Sequence, residues 1–327
     1  MFTMRFDLRA PSDGAPIGEL YAAALEMVSW GESRGCLAAI VSEHHASPDG
    51  YLPSPLLLAS AIAARTQTLP IQVAALLVPL HDPIALAEEM AVLDILSQGR
   101  VSYVCAIGYR AEEYAMFGQA MKGRGKRLET CIEAFKQAWT GEPFEFESRP
   151  VRVTPTPFTP GGPLLLMGGS SPIAIRRAAR LGMGMITQGG DPGLETIYQQ
   201  ACQEAGTTPG MFIHPPDGTV TSGFVAEDPD RAWREIGPHL LHDAQMYAQW
   251  MGATAAASKS AALDVAALRA EEGAYRIFTP DEAVAYIRSH GVFLTQPLCG
   301  GLSPALAWPS LELLVGKVLP AVSGAAG

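Results

Sequence analysis

The feature that most constrains the fold of this chain is a regular alternation of short apolar segments with longer segments of helical periodicity. The short segments are rich in β-branched residues, which favour strands. Such alternation is typical of βαβ units and a parallel sheet. The predicted strands are Arg5–Leu8, Leu37–Ser42, Ile71–Leu76, Val101–Ala106, Leu164–Met167, Gly184–Thr187, Val220–Val225 and Val292–Thr295.

Each predicted strand is followed by a predicted helix. Eight consecutive units without a break in composition favour a closed (β/α)8 TIM barrel over an open doubly wound sheet. We therefore predict a single domain that spans residues 1–327. The predicted helices are Ile17–Arg34, Pro55–Arg65, Ile84–Ser97, Arg124–Trp139, Ile173–Leu181, Glu195–Ala205, Arg231–Gln249 and Leu306–Val318.

Two segments are longer than ordinary connections between strands and helices. Thr140–Pro163 contains six prolines and alternates at Phe144–Phe146 and Val151–Val153, which predicts a small hairpin insertion. Gln249–Tyr275 is rich in alanine and serine and follows the seventh predicted strand. In a barrel it would lie over the C-terminal end, where active sites lie. It is predicted to be either a mobile lid or an ordered surface segment.

Composition excludes several classes of protein. Hydrophobic residues make up 48% of the chain and charged residues 17%, which excludes a disordered or fibrous protein. The formal net charge of −10 gives no basic surface for nucleic acid or an anionic membrane. The five cysteines form no CxxC pair, so we expect reduced thiols and no structural zinc.

No signal segment opens the chain, and the longest strongly apolar stretch, Val73–Leu80, is shorter than the roughly 18 residues of a membrane span. We therefore expect a cytoplasmic protein without membrane contact.

The sharpest candidate for chemistry is Ser42-Glu43-His44-His45, directly after the second predicted strand. Neighbouring strand residues point to opposite faces, so His44 and His45 are poorly placed to bind one metal. A general base or hydrogen-bonding group suits them better, and we predict no metal site. The alternative is that these residues only stabilise the rim of the barrel.

A second candidate is the turn Gly168-Gly169-Ser170-Ser171-Pro172 before a predicted helix. Ser171 can cap this helix, and the freed backbone amides and the helix dipole would attract a phosphate. The turn Cys299-Gly300-Gly301-Leu302-Ser303-Pro304 competes with it, because phosphate sites of barrels often follow the last two strands. The residues alone leave both turns open.

Three weaker signals favour structural roles. His239 and His242 are three residues apart on a helix, but a solvated helix face explains them better than a metal site. Cys105 ends an apolar strand and is expected in the core. No Gly-x-Ser-x-Gly motif is present, so a hydrolase would lack its nucleophile.

From Arg5 to Pro320 the chain resembles the bacterial luciferase-like monooxygenases, which are flavin- or deazaflavin-dependent barrel enzymes. The most specific similarity is the string Leu-Asp-x-Leu-Ser-x-Gly-Arg at residues 93–100. The other matching residues are Glu43-His44-His45, Val73-Ala74-Ala75-Leu76, Pro79-x-His81-Asp82-Pro83, Ala87-Glu88-Glu89, Gly108-Tyr109, Phe117-Gly118 and Gly168-Gly169-Ser170-Ser171.

The resemblance implies roles for these residues. It implies that His44, with Glu43, acts beside the flavin and the substrate, and that a non-prolyl cis peptide joins Ala74 and Ala75 beneath the flavin ring. The Gly108-Tyr109 turn is implied to line the flavin pocket. Gly168, Gly169, Ser170 and Ser171 match the phosphate cradle, which favours this turn over the later one. A homodimer through helices Pro55–Arg65 and Ile84–Ser97 is also implied.

One position departs from the family pattern. Ile107 stands where bacterial luciferase has an arginine that reaches the phosphate. Arg110, or Arg176 and Arg177 on the next helix, are the candidates to replace it. The departure admits a deazaflavin coenzyme as an alternative to reduced FMN.

The predicted function is a flavin-dependent monooxygenase. Reduced FMN would come from a separate flavin reductase, and dioxygen would oxygenate a small organic substrate. One alternative is a deazaflavin-dependent oxidoreductase that transfers hydride. The other is an inactive flavin-binding protein, against which the presence of Glu43, His44 and the glycine-serine turn argues.

Overall fold

The computed structural model describes residues 1–189, 191–216, 218–251 and 260–324. Contacts group the chain into two compact units. The first comprises residues 1–40, 47–52 and 215–327, and the second comprises residues 41–46 and 53–214.

The strands follow the predicted order closely. They are β1 (Phe2–Phe6), β2 (Cys36–Val41), β3 (Ile71–Leu76), β4 (Val101–Cys105), β5 (Phe144–Phe146), β6 (Arg149–Val151), β7 (Leu164–Gly168), β8 (Gly184–Ile186), β9 (Phe212–Ile213), β10 (Ser222–Val225), β11 (Tyr275–Phe278) and β12 (Phe293–Thr295). The helices are α1 (Ile17–Glu32), α2 (Pro55–Arg65), α3 (Pro83–Ser97), α4 (Ala111–Met116), α5 (Arg124–Ala138), α6 (Pro172–Leu181), α7 (Leu194–Ala205), α8 (Pro229–Met251), α9 (Val265–Ala270), α10 (Pro280–His290), α11 (Pro304–Leu313) and α12 (Leu319–Ser323).

In the described part of the chain the main sheet comprises eight strands. The first unit holds the run β12-β1-β2, and the second holds the run β3-β4-β7-β8-β9. The pairs β1–β12, β3–β4, β4–β7, β7–β8 and β8–β9 are parallel. Helices separate most of the consecutive strands, as expected for βαβ units.

The seventh predicted strand is present, but it does not pair within the main sheet. β10, at the predicted position, pairs in parallel with β11 in a separate two-stranded sheet, and the main sheet contains β9 instead. With only two residues, β9 is too short to give a periodic signal. The sequence analysis also missed β11 and α10, although Thr279 and Glu282 form a capping box at the start of α10.

The two long segments differ in outcome. The insertion is a hairpin, as predicted, because β5 and β6 pair antiparallel around Glu147 and Ser148, whose φ angles of 48° and 59° suit a tight turn. The predicted lid, Gln249–Tyr275, begins with the end of α8 and contains α9. Its residues 252–259 lie outside the described residues, so the lid stays a prediction.

The string at residues 93–100 has a structural role. Asp94 Oδ2 accepts a hydrogen bond from the Thr159 backbone nitrogen at 2.6 Å, and Oδ1 accepts one from its hydroxyl at 3.1 Å. The Arg100 guanidinium donates to the carbonyl oxygens of Ala63 and Leu69. These contacts hold the insertion and the end of α2 in place.

The last predicted helix, Leu306–Val318, is part of a longer apolar helical run whose length was not predicted. Pro304–Ser323 has 20 residues and a mean hydropathy of 1.4, which is enough to cross a membrane by length and composition. Within this run the Trp308 ring meets Trp30 edge-on at 5.4 Å, and Lys317 pairs with Glu227. Packed helices of globular domains pass the same test, so the run does not by itself indicate a membrane protein.

Candidate active site

Glu43, His44 and His45 leave β2 as a buried group in the second unit. The Glu43 carboxylate pairs with His45 and His81. Its Oε1 lies 2.8 Å from His45 Nε2 and 2.8 Å from His81 Nε2, and its Oε2 accepts a hydrogen bond from the Leu77 backbone nitrogen at 2.6 Å. Glu43 therefore ties the chain after β2 to the chain after β3.

This network keeps Glu43 ionised. Burial alone would raise the pKa of its carboxyl, but the hydrogen bonds from His45 and His81 and the charge of His81 lower it to about 2. Burial would lower the pKa of His81, but its hydrogen bond to the Glu43 carboxylate and that negative charge raise it. The two groups stabilise each other as an ion pair.

The partner of His44 is Glu113, on α4, which the sequence analysis missed. Glu113 Oε1 lies 2.7 Å from His44 Nδ1 and accepts a hydrogen bond from the His45 backbone nitrogen at 3.0 Å. Arg110 Nη1 donates to the same oxygen at 3.3 Å and to the His45 carbonyl at 2.5 Å. Glu113 Oε2 is buried and has no hydrogen-bond partner in the part of the chain that the structure describes. The matching Gly108-Tyr109 turn just before α4 was the available signal.

Tyr109 lies on the other side of the His44 ring. Its hydroxyl is 3.2 Å from His44 Nε2, and the two rings meet edge-on at 5.4 Å. With the Nδ1 proton donated to Glu113, Nε2 is the nitrogen that accepts from Tyr109. The result is a hydrogen-bonded series from Tyr109 through His44 to Glu113.

The peptide bond between Ala74 and Ala75 is cis, as the resemblance implies. It lies near the end of β3, where the pairing with β4 shifts between Ala74 and Leu76. Both alanines are partly exposed. Gly108, in the turn after β4, has a φ of +65°, a backbone conformation that glycine adopts most readily.

The turn after β7 has the features of an anion cradle. Ser171 Oγ accepts from the Ala174 backbone nitrogen and caps α6, which begins at Pro172. Among the described residues, the backbone N–H groups of Ser170 and Ser171 have no protein acceptor. Gly169 has a φ of +143°, and a Cβ there would lie 3.1 Å from the Ala174 Cβ. A cofactor phosphate therefore fits this turn.

Three arginines are candidates to replace the phosphate-binding arginine that is absent at position 107. They differ in whether their side chains are already paired within the protein. Arg110 is buried against Glu113 and the His45 carbonyl. Arg177 is buried as well, and its Nε donates to Glu129 at 2.9 Å. Arg176 is exposed on α6. Two of the three candidates are thus engaged by carboxylates of the protein.

The competing glycine turn, in the first unit, packs tightly against His239. A Cβ at Gly300 would lie 2.1 Å from the His239 carbonyl oxygen, and His239 Nδ1 lies 2.9 Å from the Gly300 carbonyl oxygen. His242 instead pairs with Asp49 at 2.9 Å. His239 and His242 therefore do not converge, and no metal-binding cluster occurs in the described ranges.

All five cysteines are buried and free of disulfides.

The first unit has a buried charged cluster of its own. The Arg9 guanidinium donates to Asp243 at 2.8 Å and to Asp49 at 2.8 Å. The rings of Tyr51, Tyr247 and Trp250 surround it, with centroids 4.3 to 5.1 Å from its central carbon. Sequence reasoning did not predict this cluster.

Comparison with known proteins assigns this chain to a family. The family model of the luciferase-like monooxygenases matches residues 3–286. The chain belongs to the luciferase-like monooxygenase family.

Particular members of the family share partial similarity. The chain is 28% identical over 152 residues to the alkanal monooxygenase β chain of Photorhabdus luminescens, covering 45% of this chain and 46% of that one. It is 29% identical over 143 residues to the oxygenase component of the flavin-dependent trigonelline monooxygenase of Acinetobacter baylyi, covering 43% and 40%. The chain spans about half the length of the curated relatives it matches.

Solved structures show the fold. The oxygenating constituent of 3,6-diketocamphane monooxygenase from Pseudomonas putida, a type II Baeyer-Villiger monooxygenase in complex with FMN, matches with a TM-score of 0.72 and 19% identity. The match covers 98% of each chain. The predicted (β/α)8 class of fold is thereby confirmed.

Proposed function

We propose that this chain is the oxygenase of a flavin-dependent monooxygenase that uses reduced FMN and dioxygen to oxygenate a small organic substrate. The observation that carries the proposal is the buried His44 ring, held by Glu113 at Nδ1 and contacted by Tyr109 at Nε2. Family membership and the cradle after β7, which fits a cofactor phosphate, support it.

His44 is the residue suited to proton transfer. Because Glu113 accepts the Nδ1 proton, Nε2 is the basic nitrogen, and a proton from the substrate side can reach it through the Tyr109 hydroxyl. The Glu113 carboxylate stabilises the imidazolium that then forms. Reduced FMN, when bound, would supply the electrons that activate dioxygen.

The other predicted residues bind or position. Ser170, Ser171, Gly168 and Gly169 would hold the phosphate. Ala74 and Ala75, with Gly108 and Tyr109, would line the ring pocket. Glu43 is a positioning residue, since its carboxylate is hydrogen-bonded to His45, His81 and the Leu77 backbone nitrogen.

Two partners belong to this proposal. A separate flavin reductase would supply reduced FMN, which is supported by the description of one relative as an oxygenase component. A second copy of this chain would pack against α2 and α3. These helices expose Leu57 at 74% and Leu96 at 55%, as well as Val92 and Ile95.

The first experiment is an anaerobic titration of the protein with reduced FMN and, separately, with the reduced deazaflavin coenzyme, followed by admission of air. We expect tight binding of reduced FMN and reoxidation by air at a rate and peroxide yield different from those of free FMN. Binding of the deazaflavin alone, unaffected by air, would indicate hydride transfer instead. Binding of FMN with reoxidation like that of the free flavin would indicate an inactive flavin-binding protein.

A further inference from the structure

The strand ends beside the cradle bring three residues into one row. Gly168 pairs with Ile186, and Ile186 with Ile213, in the parallel ladder β7-β8-β9. One residue further on, Gly169 donates to the Ile186 carbonyl and Thr187 donates to the Ile213 carbonyl. Gly169, Thr187 and His214 therefore follow neighbouring strands at the same edge of the sheet.

This row faces the start of α6. A Cβ at Gly169 would lie 3.1 Å from the Ala174 Cβ, which is in the first turn of that helix. Residues paired across neighbouring strands point to the same face. Glycine at position 169 therefore lets this turn lie close to the first turn of α6.

Thr187 and His214 form a hydrogen-bonded, partly buried pair. Thr187 Oγ1 lies 2.6 Å from His214 Nδ1, and Thr187 is only 2% exposed. His214 is partly buried, and within the described ranges its Nε2 has no protein partner. The loop after β8 is also tied to the cradle, because Ser170 Oγ accepts a hydrogen bond from the Gln188 backbone nitrogen at 3.0 Å.

The cradle needs a charge-bearing or strongly donating side chain to hold a phosphate well. Ile107 cannot supply one, Arg110 and Arg177 already bind Glu113 and Glu129, and Arg176 is exposed on α6. His214 lies at the same strand ends as the cradle, and within the described ranges its Nε2 has no protein partner.

We propose that His214 binds the phosphate of the flavin cofactor through Nε2, and that Thr187 positions it. The Thr187 hydroxyl donates to Nδ1 and so keeps the ring proton on Nε2, which donates to a phosphate oxygen. Neither residue takes part in the oxygenation itself. The inference rests on the proposed function, because it assumes that a phosphate-bearing flavin binds at this turn.

The test compares FMN with riboflavin, which has the same ring and no phosphate. Dissociation constants for both reduced flavins are measured by anaerobic equilibrium dialysis for the wild type, His214→Ala, Thr187→Val and the control His290→Ala, which changes a histidine of α10 in the first unit. We expect the Kd of FMN to rise about tenfold or more in His214→Ala. Thr187→Val should raise it by a smaller factor, and riboflavin binding should be unchanged in both.

The riboflavin measurement also reports whether each variant is folded, since an intact ring pocket must bind riboflavin as the wild type does. If His214→Ala keeps the wild-type preference for FMN over riboflavin, the inference is overturned while the proposed function stands. If the wild type itself shows no preference for FMN, the phosphate site is absent and the inference fails with it. If the wild type binds neither flavin, the proposed function fails first.

Discussion

Glu113 Oε1 lies 2.7 Å from His44 Nδ1, although 69 residues separate the two in the chain. The same oxygen accepts a hydrogen bond from the His45 backbone nitrogen. One carboxylate therefore fixes both the ring of His44 and the backbone that carries it. This relationship assigns the imidazole its tautomer. His44 is thus paired with Glu113, whereas Glu43 is paired with His45 and His81.

Glu113→Gln should reduce oxygenation much more than flavin binding. The amide keeps the size of the side chain but no longer stabilises an imidazolium at His44, and one lost charge-assisted hydrogen bond corresponds to about 1.5–3 kcal/mol. The measurement is the air reoxidation of the reduced FMN complex and its peroxide yield, with the FMN Kd determined in parallel. Glu112→Gln, an exposed change on the same helix, is the control. Wild-type reoxidation by Glu113→Gln would show that Glu113 does not act through His44.

His44→Ala should retain FMN affinity and lose the protein-specific reoxidation. The imidazole contacts Glu113 and Tyr109, and neither of these residues belongs to the phosphate cradle. Stopped-flow mixing of the anaerobic complex with aerated buffer measures the rate. If reoxidation is unchanged at normal cofactor affinity, the catalytic role of His44 is refuted.

Glu43→Gln should destabilise the protein at neutral pH and lose this effect in acid. The folded pKa of Glu43, about 2, is below the ordinary value of 4.5, so its stabilisation is complete above pH 4.5 and disappears as the pH falls towards 2. The shift corresponds to about 3 kcal/mol at neutral pH. Urea unfolding of the wild type and the variant at pH 7 and pH 3 measures the difference. The exposed change Glu142→Gln should have no such effect, and a loss of stability by Glu43→Gln that is equal at both pH values would contradict the ion pair.

The double variant Ser170→Ala and Ser171→Ala should weaken FMN binding and leave riboflavin binding nearly intact. The hydroxyls adjoin the free backbone N–H groups of the cradle, and removal of the Ser171 cap also costs about 1 kcal/mol of stability. Equilibrium dialysis with both flavins measures the change. Ser289→Ala, a substitution on α10 outside the cradle, is the control. Unchanged FMN affinity would argue against the cradle.

Arg9→Met should destabilise the protein by about 3 kcal/mol or more, because it leaves Asp49 and Asp243 buried without their cation. Urea unfolding measures the loss. Arg231→Met, which breaks an exposed pair with Glu235, should leave the free energy of unfolding close to that of the wild type. Similar values for the two variants would show that the cluster around Arg9 contributes little.

The sequence predicted the local structure well where signals are local. Pro55–Arg65 and Ile71–Leu76 have the predicted bounds, and Ser171 caps α6 as expected. The prediction failed for β9 and β11, because a two-residue strand and a four-residue strand give little periodic signal of their own.

The order of most strands and helices, and the places of the histidines and the glycine turn along them, could be predicted from the chain alone, because these depend on residues that are neighbours in the chain. The folded structure was needed to show that Glu113 is hydrogen-bonded to His44, and that Glu43 is hydrogen-bonded to His45 and His81. It was also needed to show that His239 packs against Gly300 and that Thr187 is hydrogen-bonded to His214. These contacts join residues from separate loops, and which loops meet is set by how the strands pair and the helices pack.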